Sequence, residues 1–182
     1  ASEKLQATLL KVNFEAARIS PYMDGYHQYL FEDYWGQSTG MVNQMEKLRA
    51  LSPEQVRQFN DEAALLWDRT RVSYGSREQF DVRVYISDFR PRQADDFADV
   101  EICFDNQRVK IPKPALVFPK SARGVLGPWF ARFQAPEVQA PTKLLVQAHA
   151  LGFQNEWPIW VFPQTGADAW ATSNKVLVSP WL

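Results

Sequence analysis

The spacing of apolar residues in this sequence changes from a helical period to a strand period near residue 68. Beyond that point Phe80, Val82, Val84 and Ile86 alternate with polar residues, and a period of two indicates a strand with one buried face. The same alternation recurs over residues 99–104. About seven such segments, separated by turn signals, predict an immunoglobulin-like antiparallel β-sandwich.

We expect the apolar members of the alternating segments to form the core of this sandwich, because their side chains share one face of each strand. Further strands are expected at residues 115–118, 129–133, 143–150 and 158–162, between proline and glycine breaks. The expected core residues are Phe80, Val82, Val84, Ile86, Val100, Ile102, Leu144 and Val146.

Before residue 68 the sequence predicts helices around a single strand. Leu5, Leu9, Val12 and Ala16 follow the 3.6-residue period of a helix, which Pro21 ends. A second helical stretch is expected over residues 41–48.

A third helix is expected from residue 53 to about residue 69. It begins with Ser52 as N-cap, Pro53 in the first turn and Gln55 as the partner of a capping box. Helix, strand, loop and helix is the order of a parallel α/β unit.

The expected strand of this first part, residues 25–31, is unusually rich in aromatic residues. It runs into Glu32, Asp33, Tyr34 and Trp35, and a strand buried on both faces reads as such an apolar run. Carboxylates accept hydrogen bonds from sugar hydroxyls, and flat rings cover the apolar face of a pyranose. The alternative is a solvated strand end with ordinary aromatic core packing, and spacing alone does not decide between the two.

Composition narrows the classes of partner. The 182 residues include 20 basic and 21 acidic side chains, for a net charge of -1, which argues against nucleic acid or an anionic membrane as a partner. No apolar run approaches the ~18 residues of a membrane span. Cys103 is the only cysteine, and the chain has two histidines. We therefore expect no disulfide within the chain, no metal site and no cofactor.

Two stretches carry a resemblance to a known family. Residues 25–40 with 51–59, and then residues 133–144 with 155–163, occur in a fixed order. The last of them reads Asn-Glu-Trp-Pro-Ile-Trp-Val-Phe-Pro. Together they resemble bacterial β-galactosidase-like glycoside hydrolases of family 2 and its close relatives, at the end of the catalytic barrel and in the sandwich that follows it.

This resemblance implies a mixed fold, with α/β and all-β parts. Residues 1–68 would be the last βα unit of a (β/α)8 barrel, residues 69–163 the immunoglobulin-like sandwich, and residues 164–182 a tail that resembles the start of a further domain. Such retaining enzymes use two carboxylates on earlier barrel strands. The resemblance therefore implies that this chain holds no catalytic residue, is inactive alone, and works with the remaining part of a parent chain.

The parent protein would hydrolyse glycosidic bonds in oligo- or polysaccharides, and this chain would form the rim of the cleft. The expected substrate-binding residues are Glu32, Asp33, Tyr34 and Trp35, at the barrel's mouth. For Asp33 there is an alternative, in which its carboxylate only bonds backbone N–H groups of the following turn, near Gly36 and Gln37. The resemblance alone favours a periplasmic or secreted bacterial protein.

Two other classes of function remain open from the sequence. A non-catalytic carbohydrate-binding module would present exposed aromatic rings on one face of the sandwich. A cell-surface interaction domain would instead present a broad apolar patch with a polar rim.

Overall fold

Strands dominate the chain in a computed structural model, which describes residues 2–28, 31–49, 51–91, 94–97, 99–111, 117–119, 121 and 123–164. The expected tail, residues 164–182, lies outside these residues except for Gln164. The described elements are α1 (Ser2–Ile19), α2 (Pro53–Arg57), β1 (Ala63–Trp67), β2 (Ser73–Gly75), β3 (Gln79–Asp88), β4 (Asp96–Phe97), β5 (Val100–Phe104), β6 (Gln107–Ile111), β7 (Val117–Phe118), β8 (Gly124–Gln134), β9 (Thr142–Ala150) and β10 (Phe153–Phe162).

The strands form two main sheets that share one core. The first has the order β1-β3-β8, and the second has the order β2-β10-β9-β5-β6. Strands β4 and β7 form a separate pair. Neighbouring strands are antiparallel except for β2 and β10, which are parallel. Buried side chains from both main sheets belong to a single apolar cluster.

The alternating segments are strands, and they point the expected side chains into this cluster. In β3 and β5 every second residue is buried, because only one face of each sheet meets the core. Phe80, Phe104 and Phe133 meet at its centre, with ring centroids 5.0 to 6.1 Å apart. Of the eight expected core residues, seven are buried, and Leu144 is half-buried against the cluster.

The predicted fold class, a barrel remnant followed by an immunoglobulin-like antiparallel sandwich, is wrong. A barrel unit needs a strand buried on both faces between helices, whereas residues 24–28 and Phe31 form no strand, and Phe31 is 69% exposed. Residues 41–48, expected as a helix, form none. The chain is instead mostly β, with two helices among the described residues. The aromatic residues make the segment at 25–31 apolar, but an apolar run does not by itself specify a strand.

The third predicted helix ends much earlier than residue 69. Ser52 caps α2 through the expected capping box with Gln55, but α2 stops at Arg57. Residues Ala63–Trp67 form β1, buried at all five positions and paired with β3. A short run that is buried throughout lacks a period, so its apolar residues could be aligned with a helix face as easily as with a strand.

Helix α1 forms where the sequence predicts it, but it turns its apolar stripe to solvent. Leu5 is 60% exposed, Leu9 51% and Val12 38%. The side that meets the sandwich carries Lys11 and Glu15 instead, and Glu15 is only 2% exposed. The helix therefore docks through polar contacts as well as through the Phe14 ring, which packs against Phe59 with ring centroids 5.7 Å apart.

The Glu15 carboxylate lies at the centre of these contacts. Its Oε1 accepts hydrogen bonds from Asn155 Nδ2 at 3.0 Å and from Trp157 Nε1 at 2.8 Å. Asn155 Nδ2 also donates to the Leu65 carbonyl at 2.7 Å, and Asn155 Oδ1 accepts from Lys11 Nζ. The network joins α1 to β1 and β10, and it supplies the partners that buried polar groups require.

Arg18 fixes the other end of α1. Its guanidinium donates to the Asp61 carbonyl at 2.6 Å and to the Ser87 hydroxyl at 3.0 Å. These bonds tie the last turn of the helix to β3 and to the turn before β1, and positive charge at a helix C-terminus is favourable.

We expect Val84→Ala to lower the free energy of unfolding by about 1–3 kcal/mol, because Val84 is fully buried between the sheets. Urea denaturation followed by tryptophan fluorescence measures this change. The control is Val125→Ala, since Val125 is 39% exposed and its truncation should change stability by less than about 0.5 kcal/mol. Equal effects at both positions would contradict the assigned core.

We expect the Glu15 network to make stability depend on pH. Burial raises the pKa of the Glu15 carboxyl, although the charges of Lys11 and Arg69 oppose the shift. The folded protein therefore keeps the Glu15 proton at pH values where the unfolded chain has lost it. The stability of the wild type relative to Glu15→Gln should then fall as the pH rises from the ordinary glutamate pKa towards the raised one. Unfolding measured at a series of pH values gives this difference, and a rise would contradict the assignment.

Candidate functional site

The four residues singled out in the sequence lie on a loop, residues 31–49, which packs on helix α1. Gln6 Nε2 donates to the Thr39 carbonyl at 2.8 Å and to the Gly40 carbonyl at 3.1 Å. Arg49 at the end of the loop reaches Glu3 of α1 at 3.4 Å. The loop therefore takes its position from the helix.

The Asp33 side chain points inward and is 6% exposed. Its Oδ1 accepts a hydrogen bond from the Gly40 N–H at 2.9 Å, and its Oδ2 forms an ion pair with Arg49 Nη2. The hydrogen bond from Arg49 is the main cause that lowers the pKa of Asp33. The carboxylate thus closes the loop on itself, as in the alternative stated for Asp33, but through Gly40 and Arg49 rather than Gly36 or Gln37.

Backbone hydrogen bonds brace the same loop. The Asp33 N–H donates to the Val42 carbonyl, and the Val42 N–H donates to the Phe31 carbonyl, both at 3.0 Å. Gly40 leaves no room for a side chain, since a Cβ there would lie 2.5 Å from Asp33 N. At Gly36 the backbone φ of +77° favours glycine. The backbone of the loop is therefore held at several points.

The neighbouring side chains point the other way, into solvent. Trp35 is 89% exposed and Tyr34 69%, and Glu32 is also exposed. Large rings are normally buried, so an exposed tryptophan beside an exposed tyrosine is an observation that requires an explanation. The rings of Tyr34 and Trp35 and the Glu32 carboxylate are therefore exposed on a loop whose backbone is held in place.

Large aromatic side chains elsewhere in the described chain are divided between core and surface. Trp157 is fully buried in the cluster, whereas Trp160 is 43% exposed and Phe130 60% exposed. Phe130 borders a cleft of about 390 Å³ that is also lined by residues of β1, β2 and β3. In this cleft Arg83 pairs with Asp68 at 2.9 Å.

A metal site and a membrane-spanning helix are both absent from the residues that the structure describes. No three His, Cys, Asp or Glu side chains among them lie close enough together to hold a metal ion. In the same residues, no helix is sufficiently long and apolar to cross a membrane.

Sequence reasoning missed the partners of Asp33. Arg49 is 16 positions away, just after a segment expected to be helical, and Gly40 carried no signal of a contact with Asp33. The sequence offered only a chemical expectation: if the Asp33 carboxylate is buried, it needs a cation or several N–H donors as partners.

Comparisons with known proteins add little to this picture. No family model and no curated protein matches the sequence. The alkylpurine DNA glycosylase AlkC of Pseudomonas fluorescens, solved with DNA containing an abasic site analog, matches 56% of this chain at 10% identity and a TM-score of 0.41, and the match spans 30% of the glycosylase. Two variants of the superoxide reductase (neelaredoxin) of Ignicoccus hospitalis each match 63% of this chain.

The two superoxide reductase variants are 13% and 11% identical to this chain, with TM-scores of 0.36 and 0.35. The matches span 94% and 90% of the reductase chains. Likenesses this distant carry no argument about fold or function.

We expect Arg49→Ala to loosen the loop without unfolding the sandwich, because it removes the cation paired with Asp33. Hydrogen exchange should become faster at the amides of Asp33, Gly40 and Val42 and stay unchanged in β3. Arg57→Ala is the control, since Arg57 pairs with Glu54 on the surface at 3.7 Å, away from the loop. Unchanged exchange in the loop after Arg49→Ala would show that the ion pair does not brace it.

Proposed function

We propose that this chain is a non-catalytic part of a β-galactosidase-like glycoside hydrolase and contacts the carbohydrate through its loop at residues 31–49. The observation that supports this most is the exposure of Tyr34 and Trp35 on a backbone fixed by Asp33 and Arg49. A fixed loop loses little conformational entropy when a ligand binds, so the contact energy of its rings is retained.

The chemistry of the loop suits a neutral sugar. The faces of Trp35 and Tyr34 can cover the C–H surface of a pyranose, and the Glu32 carboxylate can accept hydrogen bonds from its hydroxyls. Asp33 acts in this proposal as a positioning residue, because its carboxylate is already bonded to Gly40 and Arg49.

Catalysis would come from the remaining part of the parent protein. A retaining glycosidase needs a carboxyl group that keeps its proton near neutral pH, beside a second carboxylate at about 5–5.5 Å. Arg49 lowers the pKa of Asp33, which makes this group a poor acid. The Asp33 carboxylate is paired with Arg49 inside the loop whereas Glu32 is exposed, so they do not form such a pair.

A self-standing carbohydrate-binding module is the second candidate. The cleft beside Phe130 favours it, because an exposed ring there borders the paired charges of Asp68 and Arg83. Paired charges leave little net charge to attract an ion, so a neutral polyol would suit this cleft as well.

The two candidates separate in a titration with lactose, a β-galactoside, followed by NMR of the ¹⁵N-labelled chain. Under our proposal Trp35→Ala weakens binding about tenfold or more, and Glu32→Gln weakens it by about one to two decades through loss of a charge-assisted hydrogen bond. Trp160→Ala is the matched control, since Trp160 is also exposed but lies on β10.

Loss of binding on Phe130→Ala, with normal binding by Trp35→Ala, would favour the self-standing module. No saturable binding of lactose or longer β-galactosides by the wild type would overturn both candidates.

A further inference from the structure

A cavity of about 210 Å³ lies between the second half of helix α1 and the end of strand β1. Val12, Ala16 and Ile19 of the helix form an apolar wall. Glu15 and Arg69 bring charged groups into the same space. The cavity lies apart from the loop at residues 31–49, and nothing in the proposed function uses it.

The Arg69 guanidinium in this cavity lacks the partners that such a group normally has. Its side chain is 9% exposed, and its ion-pair partner among the described residues is Glu15, whose Oε2 lies 3.8 Å away, beyond hydrogen-bond distance. Its other described contact is the Trp67 ring, with the guanidinium carbon 5.9 Å from the centroid. Within the described part of the chain, no hydrogen bond from this guanidinium is found, although the group has five N–H donors.

The carboxylates near Arg69 are also paired with other cations. Glu15 is shared, because Lys11 Nζ lies 3.7 Å from its Oε1. Asp68, the other carboxylate at the cavity, pairs with Arg83 at 2.9 Å. Arg69 therefore shares one carboxylate with Lys11, and its guanidinium is left with N–H donors for a further anion.

We propose that this cavity binds a small monocarboxylate with a short apolar chain. The carboxylate would meet the guanidinium of Arg69 side by side, the geometry in which these two planar groups bind most strongly. The Ser20 hydroxyl, also at the cavity, would donate a further hydrogen bond. The apolar chain would lie against Val12, Ala16 and Ile19.

A single negative charge fits this site better than a double one. Among the described residues that line the cavity, Arg69 is the cation without a full partner. The Glu15 and Asp68 carboxylates would repel a phosphate dianion. The apolar wall favours an aliphatic acid over a small hydrated ion. The same carboxylate chemistry could come from a free acid or from an acidic side chain of a polypeptide.

The test is a titration of the ¹⁵N-labelled wild-type chain with butyrate, 1-butanol and butylammonium at constant ionic strength. We expect saturable shifts with butyrate alone, in the range of about 1–10 mM, at the Trp67 indole N–H, the Arg69 Nε–H and the amides of Ile19 and Ser20. Equal shifts with 1-butanol, or shifts that do not saturate, would overturn the proposal.

Ala16→Phe tests the site without touching its charges, because Ala16 is exposed and the new ring would fill the cavity. It should weaken butyrate binding at least tenfold, whereas Thr8→Phe, at an exposed position of the same helix, should not. Normal binding by Ala16→Phe would contradict the site.

Arg69→Gln should abolish butyrate binding, and Arg132→Gln, at a charge paired with Asp81 at 2.7 Å outside the cavity, should preserve it. N-acetyl-glutamate amide distinguishes the two sources of carboxylate. Tighter binding of this compound than of butyrate would indicate a polypeptide side chain, and weaker binding would indicate a free acid.

Discussion

The buried carboxylate of Glu15 is the interaction on which the arrangement of the first 60 residues depends. A carboxylate that is 2% exposed is tolerated only where hydrogen bonds and positive charge replace water. Asn155 and Trp157 donate the hydrogen bonds, and Lys11 supplies charge nearby. These donors lie on β10 and on the helix itself, so only one rotation of α1 satisfies them.

The rotation of α1 has consequences at both ends of the helix. Towards its N-terminus it presents Gln6 and Glu3 to the loop at residues 31–49, which is held there through Gly40 and Arg49. Towards its C-terminus it leaves the cavity beside Arg69 between helix and strand. The apolar stripe of the helix then faces solvent. One buried network thus determines the position of the candidate sugar contact, the cavity and an uncovered surface.

Sequence patterns predicted those parts of the structure that obey a period or a local motif. The alternation in β3 follows from burial of one sheet face, and the capping box of α2 follows from Ser52 and Gln55 alone. The orientation of α1 was not predictable in this way, because the apolar stripe suggested the wrong face and the partner of Glu15 lies 140 positions away, at Asn155. Apolar content likewise identified residues 24–37 as unusual without specifying their conformation.

At the candidate site, too, the sequence identifies the chemistry of two adjacent residues but does not predict their different surroundings. Glu32 and Asp33 have the same chemistry, and the sequence treats them as a pair of sugar contacts. The backbone separates them, since side chains of neighbouring residues in extended chain point to opposite sides. Asp33 therefore meets Arg49 and Gly40 inside the loop, while Glu32, like Trp35, is exposed to solvent. The inner carboxylate thus holds the backbone in place, and the outer carboxylate and the two rings stay exposed on it.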